Sequence, residues 1–185
     1  MSLSTNYYSL RLELTRIEPL IWRRLLVPTT ITLPKLHRAI QGAMGWTNSH
    51  LHQFHIDAEQ YGEPDPYGGM TLIDEKGIKL SSVLAGNIRE FVYEYDFGDD
   101  WLHRVVVENV QDANPAWKGS ICVAGQRACP PEDVGGIPGY GEFVNAIADP
   151  KHEQHIDMLR WVGGAFDPEG FDINSANLRI RRLKG

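Results

Sequence analysis

The residue types best suited to chemistry are concentrated between Tyr95 and His103, in the sequence Tyr-Asp-Phe-Gly-Asp-Asp-Trp-Leu-His. Three carboxylates, an indole and an imidazole lie here between two segments typical of β-strands. Carboxylates and an imidazole at the mouth of a sheet can bind a divalent cation or perform acid–base chemistry. The alternative is a structural turn, in which the aspartates accept main-chain hydrogen bonds. We predict that the ligand-contacting residues of this segment are Asp96, Asp99, Asp100 and Trp101.

A second polar segment runs from Cys129 to Gly136, in the sequence Cys-Pro-Pro-Glu-Asp-Val-Gly-Gly. Its two prolines restrict the backbone, and its two glycines permit backbone angles that other residues avoid. The positions of Glu132 and Asp133 are therefore expected to be tightly set. These carboxylates are predicted to bind a ligand, with capping of a helix that begins near Tyr140 as the alternative.

Histidines supply the predicted metal ligands. His50 and His52 are two residues apart, so they would share one face of a strand. This spacing occurs in metal sites, although two inward-facing histidines can equally be hydrogen-bonded core residues. A third ligand could come from His103, Asp99 or Glu132, and His103 is the one that we predict. The cofactor would then be a divalent metal ion.

Arginines beside an aromatic ring could contact nucleic acid. Trp22-Arg23-Arg24 could stack on bases or bind phosphate, together with the arginines at positions 179, 181 and 182. More often, one such arginine pairs with a carboxylate and the other faces water. Arg23 is included among the predicted ligand-binding residues.

The elements that must position these residues follow from periodicity. Alternation of apolar and polar side chains predicts strands over residues 8–15, 20–27, 50–57, 91–97 and 101–110. The first two would pair antiparallel, and the last two would form a hairpin that turns at residues 98–100. Helices are predicted over residues 33–44, 81–85, 141–148, 153–162 and 175–183. Residues 112–139 are predicted to be irregular, and residues 61–69 to form a loop.

These elements predict an α+β fold with a mainly antiparallel sheet. Strands do not alternate regularly with helices, which argues against a doubly wound parallel sheet. A chain of 185 residues fits one domain over residues 1–185 and can bury a core without disulfides or metals. Cys122 and Cys129 are separated by six residues, which favours two free thiols over a disulfide or a shared metal.

Charge and hydropathy limit the class of partner. The net charge is −6, and residues 57–100 hold eleven Asp and Glu against three Lys and Arg. This balance does not favour nucleic acid as the partner, although it permits one. No apolar segment is long enough to cross a membrane, and no basic and apolar leader pattern is visible. The predicted location is the cytoplasm.

In these motifs the chain resembles the plasmid pRiA4b ORF-3-like proteins. The matching pieces extend over about residues 7–170, and they are specific in their order and spacing. They are Ile-Trp-Arg-Arg (21–24), Leu-His-Arg-Ala-Ile-Gln (36–41), Gly-Trp (45–46), His-Leu-His-Gln-Phe (50–54), and the segments 95–103 and 128–136. The resemblance implies an α+β fold with a curled, barrel-like sheet and several flanking helices. Some members carry a transposon-resolvase label, and some are fused to DNA-binding domains.

Three functions remain open from the sequence. The first is a non-enzymatic module, associated with mobile elements or regulation, that binds an unknown ligand or protein partner at the mouth formed by the polar segments. The second is a metal-assisted hydrolase in which the histidines hold the metal while Asp99 or Glu132 orients water. The third is a DNA-associated protein, which would need the arginines gathered on one face.

Overall fold

The computed structural model describes residues 6–64, 72–84 and 88–183, which form an eight-stranded sheet and five helices. The strands are β1 (Tyr7–Leu14), β2 (Trp22–Pro28), β3 (His52–Ile56), β4 (Glu59–Gly62), β5 (Ile73–Asp74), β6 (Glu90–Tyr95), β7 (Trp101–Gln111) and β8 (Ile121–Gln126). The helices are α1 (Leu33–Met44), α2 (Leu80–Val83), α3 (Gly136–Ala148), α4 (His155–Trp161) and α5 (Ile173–Arg182). None of these helices is both long and apolar enough to span a membrane.

The sheet has the strand order β5-β4-β3-β6-β7-β1-β2-β8. Neighbouring strands are antiparallel throughout except for β4 and β5, so the predicted α+β class with a mainly antiparallel sheet is confirmed. The predicted pairing of β1 with β2 is confirmed, as is the β6–β7 hairpin, in which Tyr95 lies opposite Trp101.

The prediction of a curled, barrel-like sheet is wrong. Closing a barrel requires the first and last strands to pair. In the part of the chain that the structure describes, β5 pairs with β4 alone and β8 with β2 alone. The β8 edge is covered by α5, where the Asn177 side chain bonds both the N–H and the carbonyl of Cys122. The sheet is therefore open.

The hydrophobic core includes one face of the sheet, α1 and α5. α1 begins with Pro34 in its first turn and buries Leu36 and Ile40, as the helical spacing predicts. It ends at Gly45, which has a φ of 114°. α5 packs closely on α1 at Gly42, where a side chain would meet the Ile180 main chain.

Several predicted boundaries differ from the structure. β3 begins at His52, so His50 precedes the strand and does not share its face. β8 lies within the segment predicted to be irregular. Its sequence alternates little between apolar and polar residues, and nearby glycines and prolines favoured the prediction of a loop. Residues 61 and 62 were predicted to begin a loop but belong to β4, and residues 65–69 of that loop lie outside the described residues.

Candidate functional site

The two polar segments of the sequence meet in the structure. The turn between β6 and β7 lies against the start of α3, where the Gly135 N–H donates to Asp99 Oδ2 at 3.2 Å. Strand pairing also places this turn beside the start of β3, where His52 lies opposite Tyr95. The two polar segments therefore form one mouth, but not with all of the residues that were predicted to line it.

Three ligand-type side chains converge at this mouth, and we call them the His50 cluster: His50, Asp96 and Asp133. His50 Nε2 lies 2.9 Å from Asp133 Oδ1 and 3.5 Å from Asp96 Oδ2. One ligand atom from each residue lies within 4.8 Å of the others. Within the described residues, no other group of three His, Cys, Asp or Glu side chains meets this spacing.

The backbone holds both carboxylates of the cluster in unusual conformations. Asp96 and Asp133 each have a φ of 58°, in the left-handed region that costs most residues about 1–2 kcal/mol. Asp96 Oδ1 accepts the Gly98 N–H at 3.0 Å, which leaves Oδ2 directed to His50. Asp96 is buried, whereas the Asp133 side chain is 69% exposed. The cluster therefore has one buried wall and one side open to solvent.

His50 Nε2 is shielded from solvent and yet makes no hydrogen bond. Its distance from Asp133 Oδ1 is short enough for one, so the angle is what fails: the oxygen lies away from the direction of a ring N–H. A buried polar nitrogen without a hydrogen bond is uncommon in folded proteins. The carboxylates of Asp96 and Asp133 therefore lie beside this nitrogen, but neither forms a hydrogen bond with it.

Glu132 stabilises the loop that carries Asp133. Its carboxylate accepts the Thr47 N–H at 2.7 Å and the Tyr95 hydroxyl at 3.1 Å. Burial, reinforced by the negative charge of Glu132, raises the pKa of Tyr95 well above its usual value, so the phenol stays protonated and donates. Tyr95 Oη in turn accepts the Ser49 N–H at 3.0 Å, beside His50. Glu132 thus connects the 128–136 loop to the segment that carries His50.

His52 belongs to a separate buried network. Its ring stacks on His37 with centroids 3.5 Å apart, and its Nε2 lies 3.1 Å from Glu75 Oε2. Burial, with His52 beside it, lowers the pKa of His37 to about 3, so His37 is neutral and bonds the Tyr93 hydroxyl. A pocket of about 400 Å³ is lined by both His50 and His52.

His103 lies in the core beneath the turn and away from the cluster. Its Nδ1 donates to the Trp101 carbonyl at 3.1 Å, and its Nε2 has no partner. Complete burial lowers the pKa of His103 to about 4. The structure therefore does not bring His50, His52 and His103 together. His50 lies before β3, and β6 separates His52 on β3 from His103 on β7, with the Tyr93 ring between the two imidazoles on the same buried face of the sheet.

The remaining residues of the predicted site lie elsewhere. Asp100 pairs with Arg16, with Oδ2 and Nη2 2.6 Å apart. Trp101 is fully buried, and Arg23 is 1% exposed, so neither presents a surface to a macromolecule. Arg24 forms a two-point ion pair with Glu108. The arginines of β2 therefore do not form an exposed basic face.

Two residues of the site were not singled out by sequence reasoning. Glu75 follows the two-residue strand β5, and nothing in its neighbourhood predicts that it will meet His52. The alternation of β6 predicts only that Tyr95 faces the core. Its hydroxyl connects Ser49 and Glu132 because other elements bring those two residues to it. Both contacts depend on long-range pairing.

Comparison with known proteins agrees with the motifs. Residues 6–175 match the family described as plasmid pRiA4b ORF-3-like protein. The chain is 43% identical over 176 residues to the uncharacterized protein y4hQ of Sinorhizobium fredii (strain NBRC 101917 / NGR234), which covers 94% of this chain and 90% of y4hQ. The fold of the present chain is similar to that in the crystal structure of MM3350, a protein of unknown function from Methanosarcina mazei Go1. The TM-score is 0.84, with 37% identity and coverage of 93% and 98% of the two chains.

Proposed function

The chain belongs to the plasmid pRiA4b ORF-3-like family, and from this premise we propose that it is a ligand-binding module whose His50 cluster holds one divalent metal ion. His50 would supply a nitrogen ligand, and Asp96 and Asp133 would each supply an oxygen. An association with mobile elements or regulation stays a prediction.

The observation that carries the proposal is the spacing around His50 Nε2. Metal–ligand bonds of ~2.0–2.2 Å place neighbouring ligand atoms roughly 2.8–3.6 Å apart in octahedral or tetrahedral geometry. The separations from His50 Nε2 to the two carboxylates, 2.9 and 3.5 Å, are close to this range. A cation on the Nε2 lone pair would also satisfy a nitrogen that now makes no hydrogen bond.

The donor set indicates the class of metal. One imidazole and two carboxylates suit Zn²⁺ or Mn²⁺ better than Ca²⁺, which takes six to eight oxygen ligands. The two carboxylates balance the charge of a divalent ion. The chain contributes three ligands, so at least one position stays open for water or a further ligand.

Metal binding is tested on tag-free protein by elemental analysis and by calorimetric titration with Zn²⁺ and Mn²⁺. We expect about one ion per chain, and at least tenfold weaker binding in His50→Ala and Asp133→Asn. His55→Ala and Asp100→Asn are the matched controls, because both residues lie outside the cluster, and they should bind as the parent does. Absence of saturable binding by either metal would refute the proposal.

A second function, metal-assisted hydrolysis, is supported by the open position and by the neighbouring cavity of about 400 Å³. A metal with an open position can lower the pKa of bound water and provide a nucleophile. Activity on model phosphate and carboxylate esters would have to require added metal and disappear in Asp133→Asn. Metal binding without turnover would favour the non-enzymatic module.

A further inference from the structure

We propose that a second site, separate from the His50 cluster, binds a small organic anion through Arg23 and Arg179. The site is a cavity of about 440 Å³ between the 128–132 loop, the end of α1 and the start of α5, and we call it the Arg23 pocket. This proposal does not depend on metal binding, because neither arginine belongs to the cluster.

Arg23 brings a buried charge to this pocket. The residue is 1% exposed, and its guanidinium donates to the carbonyls of Ala43, Trp22, Gln126 and Arg127 at 2.7–3.0 Å. These carbonyls accept hydrogen bonds from the guanidinium, but they carry no negative charge to balance it. Within the described residues, no carboxylate lies within 4.0 Å of this guanidinium. Buried charges are normally paired, so an uncompensated one beside a cavity calls for an anion.

Arg179 brings a second charge from α5 to the same pocket. Its Nε donates to the Gly42 carbonyl at 3.0 Å, which fixes the side chain across the end of α1. Like Arg23, it forms no ion pair among the residues that the structure describes. Arg23 keeps one N–H on Nη2 that makes none of these hydrogen bonds, and Arg179 uses only its Nε. Together they can donate to the oxygens of one carboxylate or phosphate group.

The acidic groups that line the pocket already have other hydrogen-bond partners. Asp172 accepts the Ser175 N–H at 2.8 Å as the cap of α5, and Glu132 accepts from Thr47 and Tyr95. Cys129 also lines the pocket, and burial raises the pKa of its thiol, so it adds no negative charge at neutral pH. The arginine charges are therefore not compensated at contact distance from within the pocket.

The walls indicate an organic rather than an inorganic anion. Met44, Trp46, Val162, Phe166 and Phe171 line the cavity with apolar surface. The Phe171 ring lies 4.1 Å from the Arg23 guanidinium carbon, so it also covers the charged group from solvent. The volume lies within the ~300–1,000 Å³ typical of small-molecule sites. A ligand with one carboxylate or phosphate and an apolar body fits these properties.

The test titrates metal-free protein with benzoate and phenyl phosphate, and follows backbone amide shifts by NMR. Benzamide is the neutral control, and inorganic phosphate is the control without an apolar body. We expect saturable binding of at least one aryl anion, with amide shifts at Ala128, Cys129 and Glu132 and at the start of α5. Benzoate and phenyl phosphate distinguish a carboxylate site from a phosphate site, and preference for either supports the proposal.

Variants of α5 separate binding from folding. Arg179→Met is expected to weaken anion binding about tenfold, since it removes a charged hydrogen-bond donor. Arg182→Met is the matched control, because Arg182 is exposed on the same helix and does not line the pocket, and it should bind as the parent does. The proposal fails if neither aryl anion saturates, if benzamide binds equally well, or if both variants retain the parent affinity.

Discussion

The carbonyl oxygen of Asp99 lies 2.7 Å from the point that a Cβ atom on Gly136 would occupy. This approach allows the turn between β6 and β7 to touch the first residue of α3. Gly136 also has a φ of 66°, a backbone angle that glycine adopts without steric cost. The contact holds the segment that carries Asp96 against the loop that carries Asp133.

We expect Gly136→Ala to separate these two segments. The added methyl group would meet a main-chain oxygen that cannot rotate away, so the free energy of unfolding should fall by roughly 2–4 kcal/mol. Metal affinity at the His50 cluster should fall with it, because Asp96 and Asp133 would move apart. Urea unfolding and calorimetric metal titration measure the two effects.

Gly135→Ala is the matched control for this prediction. Gly135 also has a positive φ, of 90°, but the nearest atom to its added Cβ would be 3.6 Å away. It should show the cost of the backbone angle without that of the collision. Equal stability losses in the two variants would contradict the steric explanation.

Mild acid should destabilise the protein through its buried histidines. The pKa of His103 in the folded protein is about 4, against 6.5 for an ordinary histidine, so the unfolded chain binds its proton at higher pH. Stability should therefore fall as the pH decreases below about 6.5, and this contribution should level off near pH 4. At pH 5 the loss from His103 is on the order of 2 kcal/mol, and His37 acts in the same direction.

The measurement compares urea unfolding at pH 7 and at pH 5. His103→Leu should reduce the difference between the two pH values, because it removes a group that the unfolded chain protonates first. A parent protein of equal stability at both pH values would contradict the prediction.

Gly42→Ala should destabilise the packing of α1 on α5. A Cβ at this position would lie 2.7 Å from the Ile180 main-chain nitrogen, so α5 would have to move away. We expect a loss of up to about 2 kcal/mol, since a collision of roughly 1–3 kcal/mol is only partly offset by the ~1 kcal/mol of helix propensity gained from alanine. Gly141→Ala in α3 has no atom within 4 Å of the added Cβ and should be neutral or stabilising by thermal unfolding.

Asn177→Ala should expose the β8 edge of the sheet. The Asn177 amide bonds both polar main-chain groups of Cys122, at 2.8 and 2.9 Å, and so occupies part of the edge that another strand could pair with. We expect a loss of about 1–3 kcal/mol and concentration-dependent association, measured by urea unfolding and analytical ultracentrifugation. Asn174→Ala, at an exposed position on the same helix, should change neither quantity.

Local pattern was sufficient to predict much of this fold. Strict alternation marked β1 and β6, β-rich composition after a turn marked β7, and Pro34 and Gly45 bracketed α1, because these signals depend on near neighbours in the sequence. β8 was missed because its own sequence has little alternation and lies among glycines and prolines. Sheet closure was mispredicted because it depends on which strands meet at the ends, and this is not a local property.

Residue types by themselves determined which side chains could act at the site: His50, Asp96 and Asp133 were each predicted to be ligand or metal contacts. The grouping was decided only by the tertiary structure. A turn, a pre-strand segment and a proline-rich loop converge through strand pairing and the Asp99–Gly136 contact. His52 and His103 instead lie on the buried face of the sheet, on either side of Tyr93. Sequence spacing predicts the direction of a side chain along its own element, but packing between distant elements decides which side chains meet.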